Sequence, residues 1–108
     1  MNAKTEFLEH TEDKPKVVCA VIEKDVEWKP VRLATLYEGY SEDEYNEFLR
    51  ILDTYEYDDG YGSQELYGTI WYEDGTYSGR GKYDGSEWWE YRKAPEKPAQ
   101  QTKQVKEK

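Results

Sequence analysis

Between Glu65 and Arg92 the chain reads ELYGTIWYEDGTYSGRGKYDGSEWWEYR, and two Asp-Gly pairs cut this stretch into three. Asp74-Gly75 is a strong two-residue hairpin signal, and Asp84-Gly85 supports a second turn. The pieces are Glu65–Tyr72, Thr76–Tyr83 and Glu87–Arg92, and they are rich in Tyr, Trp and Thr. Such residues suit a pleated, half-buried surface. The pattern predicts a three-strand antiparallel meander. Gly68, Gly79 and Gly81 fall inside the predicted strands, where they mark bulges, twist or rings lying across the backbone.

Upstream, KVVCAVIEK (Lys16–Lys24) is a short β-branched apolar run and reads as a central strand. DVEWKP (Asp25–Pro30) reads as a turn or strand edge, because Pro30 disfavours a ladder position. VRLATLY (Val31–Tyr37) is a second strand. Simple alternation puts Val31, Leu33, Thr35 and Tyr37 on one face and Arg32, Ala34 and Leu36 on the other. SEDEYNEFLRIL then gives the best helical signal. Ser41 and Glu44 have capping-box spacing, and Tyr45, Phe48, Leu49 and Leu52 share one face. The helix is predicted over Ser41–Asp53, and Thr54–Gln64 is a loop. Residues 1–14 read as a flexible polar arm and residues 94–108 as a disordered basic tail. The expectation is one α+β domain over residues 15–93. It has a mostly antiparallel five-stranded sheet with one helix on one face, in ββαβββ order.

Aromatic residues make up 16% of the 108-residue chain, with 11 Tyr and 4 Trp, so the centre is expected to fold despite an apolar fraction of only 36%. The net charge of −9 is unevenly placed. From Arg92 onward six Lys or Arg face two Glu, whereas Met1–Tyr91 carries nine bases and twenty-two acids. An acidic body repels phosphate backbones and anionic membranes and attracts basic partners, although solubility alone also accounts for acidity. The N-terminus lacks the apolar core of a signal peptide, and no run reaches membrane-span length. The expected location is the cytoplasm, without direct nucleic-acid or membrane binding.

Catalytic and metal chemistry find little support in these residues. Cys19 lies in an apolar run and reads as a buried structural thiol. The single histidine, His10, falls in the polar arm, so no Ser–His–Asp or Cys–His set is expected on a rigid site. No Cys/His cluster suggests zinc. An EF-hand centred on Gly60 would place ligands at Tyr55, Tyr57 and Asp59, and two of these are not acids. Gly79–Gly81 is not a phosphate loop. A non-enzymatic protein without a cofactor is expected.

What remains is a binding surface. Glu38–Asp59 holds nine acids and one base, Arg50. A row of carboxylates on a rigid scaffold can engage the Lys and Arg with which a nucleic-acid-binding protein grips phosphate. The candidate contacts are Glu42, Asp43, Glu47, Asp58 and Asp59 for charge, with Trp88 and Trp89 as candidate apolar anchors. Alternation sends these two tryptophans to opposite faces. The alternatives are a carbohydrate or small-ligand module using exposed rings, and a homodimer subunit.

YDDG at Tyr57, YEDG at Tyr72 and YDG at Tyr83 are similar to the hairpins of MORN repeats, but their irregular spacing reads as shared turn chemistry. GTIWYEDGTYSGRGKYDGSEWWEY (Gly68–Tyr91), with the chain's size and acidity, resembles the C-terminal segment of small acidic accessory proteins of bacteriophages. That resemblance implies host takeover or counter-defence: a small protein that binds and blocks a host protein, often a nucleic-acid-handling one, in the host cytoplasm.

Overall fold

The computed structural model describes residues 1–57, 64–83 and 86–93. Its elements run α1 (Ala3–Thr11), β1 (Val17–Val26), β2 (Lys29–Leu36), α2 (Glu42–Leu52), β3 (Leu66–Tyr72), β4 (Tyr77–Tyr83) and β5 (Ser86–Arg92). The five strands form one antiparallel sheet in the order β2-β1-β3-β4-β5. The order along the chain is αββαβββ, so the one-helix ββαβββ expectation is corrected by a second helix. Residues expected to form a loose arm are that helix. The sequence-predicted tail, residues 94–108, lies outside the described residues.

Polar residues on the buried side of α1 hide its helical pattern. Asn2 caps it, its side-chain oxygen accepting from the Thr5 amide at 2.9 Å. Ala3, Glu6 and Phe7 are buried, and His10 follows one turn later. Half of this face is therefore charged or titratable, and an amphipathic stripe is not visible. The preceding residues are pinned as well. Ala3 donates to the Tyr55 carbonyl at 3.0 Å, and the Tyr57 amide donates to the Met1 carbonyl at 2.9 Å.

α2 forms as its sequence dictates. Ser41 and Glu44 make a reciprocal capping box, and Glu42, Asp43 and Glu44 occupy the first turn, where the helix dipole favours them. Phe48 and Leu52 are buried against the sheet, and the Phe48 ring meets Phe7 of α1 edge-on at 5.3 Å. Both helices thus lie on one face. Beneath them are Ala20, Ile22, Ala34, Leu36, Leu66, Ile70, Tyr72 and Trp89.

The opposite face carries Cys19, Val21, Tyr67, Thr69, Trp71, Tyr77 and Trp88, alternating with the core positions. Trp88 lies flat over Gly81, where a Cβ would stand 2.6 Å from the indole nitrogen. A glycine is needed there for the ring to lie down. Alternation fails in β2. An extra residue opposite Ile22 and Glu23 shifts the register, so Arg32 pairs with Glu23 while Ala34 stays opposite Ile22. The bulge places Arg32 beside Thr35, to which it donates at 2.8 Å, instead of with Ala34 and Leu36.

The β1–β2 hairpin turns at Glu27 and Trp28, both with positive φ, 51° and 68°. Tight hairpins favour Asn-Gly at such positions, because a side chain there meets its own backbone. Trp28 is 81% exposed at the tip, so no packing offsets that strain. Replacing the pair by Asn-Gly (Glu27→Asn with Trp28→Gly) is expected to stabilise the fold by about 1 kcal/mol. The thermal midpoint should rise by roughly 4–8 °C. An unchanged or lower midpoint in a melting experiment would contradict a strained tip.

Candidate partner-binding groove

The groove is built by two elements that meet at Tyr40. β2 ends at Leu36, and the chain turns through Gly39, with φ of 86°, into the capped start of α2. Tyr40 is fixed at this junction. Its hydroxyl donates to the Val17 carbonyl at 2.6 Å, and its ring stacks on Tyr45 with centroids 5.7 Å apart. Between α2 and the end of β2 lies a hollow of about 300 Å³. Leu36 and Phe48 form its buried floor, Ile51 contributes accessible apolar surface, and Asp43, Glu44 and Glu47 bring carboxylates. Tyr37 adds a ring that is 73% exposed.

The carboxylates differ in availability. Glu44 accepts from the Ser41 amide at 2.8 Å and is engaged in the cap. Glu47 holds Arg50 through two hydrogen bonds, Nε to Oε1 at 2.9 Å and Nη2 to Oε2 at 2.6 Å. This bond keeps the Glu47 carboxyl below its ordinary range and the Arg50 guanidinium above its own. Asp43 is exposed and makes none of the ion pairs among the described residues. Asp43 is thus the carboxylate open to a cation, and Glu47 could be reached only in competition with Arg50. The apolar surface below suits the methylene stem of Lys or Arg, whose charged head stays at the rim.

Two further hollows share Tyr40. One, about 370 Å³, is lined by Thr11, Lys14, Pro15, Glu42 and Tyr45 among others. The other, about 290 Å³, lies among Lys16, Val18, Glu38, Gly39 and Glu73. The sequence-predicted contacts are thus only partly assembled. Glu42, Asp43 and Glu47 are exposed on α2, at or beside the groove. Asp58 and Asp59 lie outside the described residues. Trp88 is on the sheet face away from the helices, at the far edge strand, and is 38% exposed. Trp89 is 5% exposed and is a core residue, so it offers no surface anchor. Tyr37, Tyr40 and Tyr45 supply the rings beside the acids, and single tyrosines carry little sequence signal.

A second polar cluster was not legible in the sequence. The Arg80 side chain is 2% exposed and donates to Glu6 at 2.9 Å, to Glu87 at 2.7 Å and to the Tyr57 hydroxyl at 3.0 Å. Its plane also stacks on Trp89, 4.9 Å from the ring centroid. Glu87 accepts further from the Glu65 and Leu66 amides. The Tyr57 hydroxyl donates to Glu6. Burial, and next the bond to Glu6, push the Tyr57 hydroxyl far above its ordinary value. Burial alone would lower Arg80, but the surrounding carboxylates more than offset it and hold the guanidinium charged.

His10 is likewise not a solvated arm residue. Its Nε2 lies 2.7 Å from Ser78 Oγ, which also bonds the Tyr72 hydroxyl at 2.8 Å. This is a Ser–His contact, yet Ser78 is fully buried and its oxygen is shared with Tyr72. Such a serine has no approach for an attacked carbonyl. The contact serves packing of α1 on β4. No protein-family model matches the chain, and comparison with curated proteins and with solved structures found no match.

Arg80→Met should leave two buried carboxylates facing each other and lower stability by about 3–5 kcal/mol in denaturant titration. Adding Glu6→Gln and Glu87→Gln should restore much of that. A loss below about 1 kcal/mol for the single change would mean that the cluster holds nothing together. His10 gives a pH prediction. Burial, aided by Lys14, lowers its pKa from the ordinary 6.5, so the fold prefers the neutral ring. That contribution is present above pH 6.5 and is lost as pH falls through the lowered folded value. From about pH 7 to pH 5 the native chain should lose more stability than His10→Gln. Parallel pH profiles for the two would contradict this.

Proposed function

We propose that this chain is a non-enzymatic binding protein that engages and modulates a basic protein, and that the α2–β2 groove is its contact site. One observation carries the reading: carboxylates of α2 stand over a hollow with apolar lining and exposed tyrosine. A Lys or Arg of a partner would lay its stem on Tyr37, Tyr40 and Ile51 and its charge between Asp43 and Glu47. A protein that binds nucleic acid presents such side chains in rows, and an acidic mimic would compete for them. The resemblance to small acidic phage proteins favours a host protein of this kind, met in the host cytoplasm.

The uncovered sheet face supports a second reading. Trp71 and Trp88 are 41% and 38% exposed there. Aromatic rings presented on a sheet can stack on a sugar or on a second copy of the chain.

The test is isothermal titration of the full chain with oligolysine, alongside Asp43→Lys/Glu47→Lys and Trp88→Ala. The charge reversal is expected to weaken binding at least about tenfold and to flatten its salt dependence, because exposed charges are screened over about 8 Å at physiological salt. Trp88→Ala should bind like the native chain. Binding that survives the reversal, or that follows Trp88 and persists in high salt, would shift the site to the sheet face.

A further inference from the structure

The β1–β2 hairpin ends in a tip that takes no part in the groove. β3 flanks β1 only as far as Lys24, opposite Leu66, with one further bond from the Asp25 amide to the Glu65 carbonyl at 3.0 Å. Beyond that point only β2 pairs with β1, through Asp25–Pro30 and Val26–Lys29. Every residue from Val26 to Arg32 is exposed. Trp28 stands at the apex, 81% exposed, with Val26 and Val31 nearby at 41% and 42%. Its backbone is held at a φ of 68°, a conformation that favours glycine. Within one copy this indole is strained and almost wholly in solvent. Lys29, the next residue, makes none of the ion pairs among the described residues.

The other end of β2 offers what this tip lacks. The α2–β2 groove, a hollow of about 300 Å³, is lined by Tyr37, Tyr40 and Ile51 above its floor of Leu36 and Phe48. An indole seated there would lie on apolar and aromatic surface, and tryptophan is a favoured anchor in such pockets. The Lys29 ammonium would fall beside Asp43, an exposed carboxylate that also makes none of the ion pairs among the described residues. The tip cannot fill the groove of its own chain, because the extended run from Lys29 to Thr35 keeps them roughly 20 Å apart. An aromatic tip followed by a base and an acidic hollow lined with rings can therefore meet only between copies. Chains of net charge −9 repel one another at a distance. At physiological salt that repulsion is screened over about 8 Å, so the local contact decides.

We propose that the hairpin tip of one copy docks in the α2–β2 groove of another, with Trp28 against Tyr37 and Ile51 and Lys29 beside Asp43. Tip and groove are different patches, so the contact is head-to-tail and the series grows until it closes into a ring or continues as a filament. The tip is small beside the roughly 1,200 Å² at which stable interfaces begin, so a dissociation constant on the order of 0.1–1 mM is expected. A basic partner and a second copy then compete for one groove. This rests on the groove reading given above and names a further occupant.

The experiment is analytical sedimentation of the full chain at concentrations bracketing that constant. The native chain should gain mass with concentration and pass beyond the dimer. The tip variant is Glu27→Asn with Trp28→Gly, which is expected to be more stable than the native chain, so unfolding cannot mimic a lost contact. The groove variant is Asp43→Lys with Glu47→Lys. Each variant alone should stay monomeric. Their equimolar mixture should form a dimer and nothing larger, because one chain supplies the only working groove and the other the only working tip. A native chain that stays monomeric overturns the proposal. So does self-association that both variants retain, which would place the contact on another surface. A mixture that stays monomeric, or that grows past the dimer, also overturns it. Titration with oligolysine separates this outcome from the proposed function. Oligolysine binding by a native chain that does not self-associate removes the docked tip and leaves the groove reading intact. Head-to-tail assembly without oligolysine binding supports the docked tip and removes the proposed function.

Discussion

Arg80 is the side chain on which the arrangement of layers depends. It projects from β4 and bonds groups supplied by α1, by the segment after α2 and by β5. Through Glu87 the same cluster reaches the amides of Glu65 and Leu66 at the entry to β3. Apolar contact alone gives α1 little hold, since Ala3 and Phe7 are its only buried apolar residues. The Glu6–Arg80 pair fixes where this short helix lies and so where Phe7 meets Phe48. A buried ion pair adds little net stability compared with a well-packed apolar core, but breaking one partner is severe. Here it specifies position. Arg80 Nε and the Trp89 indole nitrogen remain without partners in the cluster. A fit chosen for packing energy alone would have paired or removed them.

This anchoring bears on the groove, because α2 is held from both sides. Leu52 and Phe48 seat it on the sheet, and α1 presses on Phe48 from beyond. The acidic face of α2 is therefore displayed at a fixed height above the end of β2. Fixed placement matters for charge recognition, since mobile carboxylates would lose order on binding and weaken it. Arg50 sharpens the site further. By holding Glu47 it leaves Asp43 as the groove carboxylate with no ion pair among the described residues.

The sequence displayed the elements that rest on local chemistry and concealed those that rest on distant pairing. The capping box of Ser41 and Glu44 and the reversal at Asp74-Gly75 are local, and both stand where the residues put them. The hairpin nevertheless closes through three residues, Glu73–Gly75, with positive φ at Gly75 and not at Asp74, so the two-residue turn expectation is corrected. Trp88 and Trp89 do part to opposite faces, as strand geometry requires. Which face would be covered was not local information. Trp89 is buried because α1 closes that side. Gly68 lies nearby, but it is the β1 backbone that demands a glycine there, since a Cβ would collide with the Val21 carbonyl oxygen and stand 3.3 Å from the indole. α1 itself was hidden because Glu6 and His10 are polar residues on its inner face, with partners more than sixty residues away in β4. The Glu27–Trp28 turn was hidden for the opposite reason, since neither residue favours positive φ. At the groove the acids of α2 were legible as charge. Their tyrosine and leucine neighbours come from β2 and the turn after it, and only the fold brings them together.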